Sequence, residues 1–239
     1  MKKITFLIIL LSNLAFSQKS FEATYKVEFN FEDKEEQNAI VKRYKNIAIR
    51  NSKKIEFTLK GNDKISEFSI KKNMVNEDKN VKITLALAGY INDGLYQDIE
   101  NGLLIRNNPE SSRLTARNEF LIKSPLFDDW KLIEESRTIS ENKCFKAKGK
   151  IDNNNEVKKY QNITAWYCPG INFNYGPLGF GNLPGLIVHL KIDETNYILK
   201  NLRFSDNKKV DFELPDKGKE ITEEEFLKIF KKRMKEFQK

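Results

Sequence analysis

Little in this 239-residue chain invites metal or thiol chemistry, because it holds one histidine and two cysteines. Imidazole- and thiolate-based metal sites need several such side chains to converge, and this chain cannot supply them. No Cys-x-x-Cys occurs, which removes dithiol redox catalysis. No G-x-S-x-G occurs either. Ser-x-x-Lys recurs at Ser69/Lys72, Ser140/Lys143 and Ser205/Lys208, about as often as chance allows in so lysine-rich a chain. Ser205-Asp206-Asn207 imitates a β-lactamase element, but no Lys-Thr-Gly follows. Asp152-x-Asn154-x-Glu156 resembles a cation loop without the glycine expected next. No metal site and no cofactor is therefore expected. Long apolar runs, internal repeats and low-complexity linkers are missing too, and nothing approaches the roughly 20 residues that span a bilayer.

What is present begins with a leader. Lys2 and Lys3 precede an apolar run from Ile4 to Leu14, which ends at Ala15-Phe16-Ser17, a small-x-small cleavage site. Residues 1–17 read as a secretory signal peptide, leaving 222 residues from Gln18 as a single β-rich domain, periplasmic or secreted. The whole-chain charge of +8 falls to +6 once Lys2 and Lys3 are removed. Lys and Glu alternate throughout, so a solvated mixed-charge surface is expected, with no nucleic-acid partner.

The body of the chain reads as strands. Phe21, Ala23, Tyr25, Val27, Phe29 and Phe31 alternate with polar residues, and the acidic stretch Glu32–Glu36 reads as a loop. Hairpins are expected around Gly61-Asn62-Asp63 and Glu100-Asn101-Gly102. Phe120–Ile122, Lys131–Glu135 and Cys144–Ile151 are further strands, while Val81–Ala88 fits helix or strand equally. At the end, Thr222 and Glu225 form a capping box. Phe226, Phe230, Met234 and Phe237 then recur at helical spacing and predict one amphipathic helix with its Phe face on the sheet. The fold class is mainly β: a curved antiparallel sheet, or an open barrel or half-barrel, with a C-terminal amphipathic α-helix.

Export places Cys144 and Cys168 where disulfides persist. If the two oppose each other in an antiparallel pair, opposed residue numbers sum to 312. Phe145 then meets Tyr167 and Ala147 meets Ala165 on one apolar side, while Lys146 meets Trp166 on the cysteine side. A disulfide is the expectation, against two free thiols.

Residues 165–187 hold five of the eleven glycines and three of the six prolines. Ala165, Trp166, Tyr167, Pro169, Gly176, Pro177, Phe180, Gly181, Leu183, Pro184, Gly185, Leu186 and Ile187 carry the pattern. So read, the stretch resembles the signature of the GLPGLI family of exported bacterial proteins, also called Porph_ging. Trp130 and the Lys143–Ala147 segment also look like family features. Asn182 replaces the first glycine of the hexapeptide, a substitution that a left-handed backbone tolerates, and Cys168 and Gly170 stand where polar or acidic residues are expected. The resemblance implies an exported, envelope-associated β-rich protein and no mechanism.

Two functions stay open. One is non-enzymatic binding of an apolar ligand, lipid, peptide or envelope partner protein, with Trp130, Trp166, Tyr167, Phe180, Leu183, Pro184 and Gly185 as candidate contact residues. The other is an exported hydrolase with dispersed carboxylate, serine or tyrosine chemistry, for which Asp128-Asp129 is the most suggestive pair. His189, between Val188 and Leu190, reads as structural.

Overall fold

The structure, a computed structural model, describes residues 20–31, 38–71, 78–90, 94–110, 114–152, 160–205 and 214–237. The leader, the acidic loop and the turn after Asp152 lie outside the described residues.

Alternation at the start of the chain becomes β1 (Ser20–Phe29), which buries Phe21, Ala23, Tyr25, Val27 and Phe29 on one face. Both predicted hairpins form, as β2 (Glu56–Gly61) with β3 (Ile65–Ile70) and β4 (Leu95–Asp98) with β5 (Leu103–Asn107). They are followed by β6 (Phe120–Pro125), β7 (Lys131–Ile139), β8 (Asn142–Asp152) and β9 (Tyr160–Cys168). The remaining strands are β10 (Leu186–Ile192), β11 (Thr195–Ser205) and β12 (Lys219–Thr222).

All twelve join one sheet in the order β12-β6-β5-β4-β3-β2-β1-β11-β10-β9-β8-β7. Every pairing is antiparallel except β12 with β6. Chain length explains its curvature. In a flat sheet, the ten strand spacings between β6 and β7 would separate them by about 48 Å. Residues 126–130 must make that connection, and six Cα steps reach about 20 Å at most. The sheet therefore curls until its two ends approach, an open half-barrel with edges at β12 and β7. Its interior holds the main core. There the Tyr25 hydroxyl donates to the Ile187 carbonyl at 2.7 Å, and that of Tyr197 to the Ala88 carbonyl at 2.6 Å. Burial pushes the pKa of both phenols up, which keeps them as donors.

Strands β8 and β9 pair in the expected register, Phe145 with Tyr167, Lys146 with Trp166 and Ala147 with Ala165. Cys144 and Cys168 are joined as a disulfide, with Cα atoms 4.1 Å apart. Edge strand β7 carries a register shift between Ile133 and Ser136 and charges at Lys131, Glu134, Glu135 and Arg137. These are features that discourage another chain from adding to the sheet.

Among the described residues, three α-helices decorate the half-barrel. The first, α1 (Ala39–Ser52), is absent from the sequence reading. Asn38 caps it by accepting from the Ile40 and Val41 amides at 3.0 and 3.3 Å. The ambiguous segment resolves as α2 (Lys79–Leu87), capped by Asp78. The third, α3 (Glu223–Phe237), forms with its capping box intact: the Thr222 amide donates to Glu225 at 2.8 Å and the Glu225 amide to Thr222 Oγ1 at 3.2 Å. Its packing departs from expectation. Phe226, Ile229 and Phe230 join Phe120, Ile122 and Ile221 in a small second core, whereas Met234 and Phe237 are exposed. Strand β12 is only four residues long, so the sheet ends before the last helical turns.

Candidate functional site

Between Cys168 and Leu186 the chain enters the mouth of the half-barrel. Ile171, Phe173 and Tyr175 are buried in succession. The Leu186 amide donates to the Ile171 carbonyl at 3.1 Å, and that of Ile187 to the Tyr175 carbonyl at 2.9 Å. A bridge between Tyr175 and Gly181 closes a loop around the 3-10 turn Pro177–Gly179. Three residues there adopt left-handed φ: Leu178 at 55°, Gly179 at 77° and Asn182 at 59°. Asparagine thus serves at position 182 for the conformational reason that made it tolerable. Gly185 is more constrained, with φ 139° and a position where a Cβ would lie 2.3 Å from the Cys168 carbonyl oxygen. No side chain fits there.

The linker 126–130 that closes the curl is tied to this loop. Trp130 Nε1 donates to the Gly181 carbonyl at 2.9 Å, and Asn182 Nδ2 to the Phe127 carbonyl at 3.2 Å. The rings of Phe127, Trp130 and Phe180 meet edge-on, with centroids 4.9–6.2 Å apart. The signature loop and the linker therefore form one strap across the open side.

Beneath that strap lies a cavity of about 410 Å³. Leu178 and Phe180 of the loop form one wall. Leu95 and Leu104 face it from β4 and β5, and Ile151 and Ile192 from β8 and β10, strands far apart in sheet order. Phe31 and the end of α2, Leu87 to Gly89, complete the apolar lining. The charged groups are Arg106, Asp193 and Glu194. Arg106 is already engaged: its Nη2 meets both Glu223 carboxylate oxygens at 2.8 Å, and its guanidinium lies over the Phe226 ring at 5.2 Å. Gln161 and Thr195 add neutral polar groups, so the volume suits a small ligand and the mixed walls an amphipathic one.

The sequence-predicted residues divide between two faces. Phe180 lines the cavity, and Trp130 holds Phe180 without lining it. Tyr167 is buried against Phe145, and Leu183 is fully buried. Pro184 is exposed, and Gly185 sits against the Cys168 backbone. Trp166 lies on the opposite, outer face. Lys146 is 5.5 Å from its ring, as the register implied, but Arg137 of the edge strand stacks closer, at 3.9 Å. His189 lies beside it, accepting from Arg137 at Nδ1 and donating from Nε2 to Asn196 Oδ1, each at 3.0 Å. Burial, with the positive charge of Arg137 and Lys191, holds the imidazole below its ordinary pKa, although the Asn196 bond acts the other way. His189 is thus a structural link between strands. Asp128 and Asp129 are both exposed. Among the described residues, no three His, Cys, Asp or Glu side chains gather where a metal could sit. The lining residues Phe31, Leu95, Leu104 and Ile192 were missed. Each reads as one more apolar position in a strand, and only the curl brings them together.

The family described as "Protein of unknown function (Porph_ging)" matches residues 148–189, which take in the end of β8, all of β9, the signature loop and the start of β10. No curated protein matches the sequence. Among solved structures, PNGF-II in a P21 crystal aligns over 90% of this chain at 13% identity with a TM-score of 0.55. PNGF-II in a C2 crystal does so over 90% at 12% identity with a TM-score of 0.57. The chain spans about a third of the length of those proteins, 34% and 33%, so the likeness is one of fold. A LolA superfamily protein, NE2245 from Nitrosomonas europaea, aligns over 85% of this chain and 94% of its own at 9% identity. Its TM-score of 0.28 is too low to bear on the argument. No helix among the described residues is long and apolar enough to cross a membrane.

Proposed function

We propose that the mature chain is an exported binding protein, one domain from Gln18 onward, that takes an apolar or amphipathic small molecule into the cavity of the half-barrel. The single observation that carries this reading is the half-open cavity of about 410 Å³ walled by Leu178 and Phe180 and by apolar residues of four strands. Chambers of this size hold ligands on the scale of a lipid chain or an aromatic metabolite. Export is supported by the basic-apolar leader ending at Ala15-Phe16-Ser17 and by the disulfide between Cys144 and Cys168. The strap provides the roof, with Trp130 and Phe127 holding Phe180 in place.

The test is titration with N-phenyl-1-naphthylamine, a neutral apolar fluorophore that brightens on leaving water. Saturable binding at one site per chain is expected. Ile192→Trp, which fills the chamber from β10, should abolish it while the thermal unfolding transition stays cooperative. Fluorescence that rises without saturating, or that Ile192→Trp leaves unchanged, defeats the proposal. Export is checked separately by mass spectrometry of the secreted or periplasmic protein, which should begin at Gln18.

A further inference from the structure

Apolar side chains on the surface are not spread evenly. Ten large ones are exposed among the described residues, and five of them belong to α1 and α2: Ile40, Val41, Tyr44, Ile49 and Leu87. Ile40 is 63% exposed, more than any other of the ten. Three of them, Ile40, Val41 and Tyr44, are part of a pattern, whereas Ile49 lies on the other side of α1. At helical spacing Ile40, Tyr44 and Ile47 share one stripe, with Val41 and Ala48 at its margin. The stripe is buried at its far end, where Ile47 is 8% and Ala48 0% exposed, and uncovered at its near end. Half of an amphipathic face therefore packs on the fold and half projects beyond it.

Charge selects the partner. Residues 39–54 contain Lys42, Arg43, Lys45, Arg50, Lys53 and Lys54 and no carboxylate. Arg43 and Lys45 flank the exposed stripe on its two sides. Nearby acids do not cancel this. Glu32, Asp33, Glu35 and Glu36 precede the helix, yet residues 32–54 together still carry +3. Asp78 is occupied as the cap of α2, and Glu56 is paired with Lys71 and Lys200. The other helix with exposed apolar residues differs: α3 shows Leu227, Met234 and Phe237, but mixes four carboxylates with five cations. Apolar tips ringed by cations match an anionic bilayer, whose headgroups pair with Lys and Arg while its acyl region takes Ile and Tyr.

Position links this face to the cavity. Leu87 is both exposed and part of the chamber lining, and Lys45 of α1 lies 5.3 Å over the ring of Phe31, another lining residue. We propose that the α1–α2 pair docks the protein peripherally on an anionic membrane, with the cavity mouth against the lipid surface. Docking itself needs only the exposed face. Its use for ligand transfer rests on the binding reading above.

The experiment is co-flotation of the full mature chain with vesicles of phosphatidylcholine alone or of phosphatidylcholine mixed with phosphatidylglycerol. Binding to the anionic vesicles is expected, weakening with added salt, with little on the neutral ones. Lys42→Gln with Arg43→Gln should weaken it by about fivefold for each charge removed. Ile40→Ser with Tyr44→Ser should weaken it about tenfold or more. Both pairs are exposed, so the melting temperature and N-phenyl-1-naphthylamine binding should stay at wild-type values. Equal retention on both vesicles, no retention on either, or wild-type retention by the variants would overturn the proposal. So would sedimentation showing a dimer that Ile40→Ser with Tyr44→Ser dissolves, since the face would then join two copies of this chain. Vesicle binding that persists in a protein unable to bind the fluorophore would overturn the cavity reading and leave docking intact.

Discussion

The signature half of the half-barrel and its C-terminal corner are held by different physics. In the first, β8, β9 and β10 pair through long registers, a disulfide joins Cys144 to Cys168, and Gly185 lies against the Cys168 backbone. Nearly every side chain from Ile163 to Val188 that faces inward is buried. In the second, four-residue β12 adds parallel to β6, and α3 rests on a core of Phe120, Ile122, Ile221 and Phe226. Surface charge does the rest. Arg233 donates to Glu119 at 2.7 and 2.9 Å and to the Leu114 carbonyl at 2.7 Å, while Arg106 meets Glu223. Partly exposed pairs of this kind contribute roughly 0–1 kcal/mol each. One region is thus fixed by sterics and covalent linkage, and the other is fastened by small, separable contributions. The first should fail as a whole and the second locally.

Gly185→Val is the strongest attempt to break that contrast. Its Cβ would strike the Cys168 carbonyl, and its φ of 139° is foreign to a β-branched residue. A loss well above about 3 kcal/mol is expected, seen as failure to fold or a large fall in melting temperature. A variant of wild-type stability would show that the strap is dispensable to the fold. Next comes Cys144→Ala with Cys168→Ala. The two lie 24 residues apart, and the chain-entropy argument gives a loss of about 3 kcal/mol in denaturant unfolding, distributed over the whole molecule. Phe226→Ala should cost roughly 2–4 kcal/mol, but only locally. Hydrogen exchange should accelerate in α3 and β12 while amides of β8–β10 keep wild-type protection, and uniform acceleration would refute the separation.

The smallest effect concerns pH. His189 has its pKa lowered chiefly by burial, so the unfolded chain binds the extra proton first. Where the unfolded state holds more protons, stability rises with pH. Stability should therefore decline as pH falls below the ordinary histidine value of about 6.5, and go on declining until the folded imidazole also protonates. Melting temperatures of wild type and His189→Gln across that range should converge on the acid side. A constant difference would show that the imidazole is not held neutral by the fold.

Much of the well-secured region was legible beforehand, because its determinants are local and discrete. One assumption, that Cys144 opposes Cys168, placed Lys146 beside Trp166 and Ala147 beside Ala165, as the strands pair. The left-handed backbone at Asn182 followed from what asparagine tolerates. Thr222 and Glu225 marked the start of α3 through a four-residue motif. Helix α1 was missed although Ile40, Val41, Tyr44, Ile47 and Ala48 recur at helical spacing behind the Asn38 cap; only Ile49 falls off that face. Met234 and Phe237 were misjudged because periodicity shows which face is apolar, not how far the sheet extends beneath it.

By itself, then, the sequence determined the alternating strands, the register of the cysteine hairpin, the left-handed backbone at Asn182 and the capped C-terminal helix. Each rests on interactions within a few residues or on the fixed period of a strand. The tertiary structure alone decided that residues 126–130 are too short to join the ends of a flat sheet, so that the sheet curls. It decided too that Trp166 is covered by Arg137 from another strand, and that Leu95, Leu104, Ile151 and Ile192 enclose one cavity. These contacts depend on which strands become neighbours across the fold, and no local pattern carries that information because the pairing energy is spread over the whole sheet.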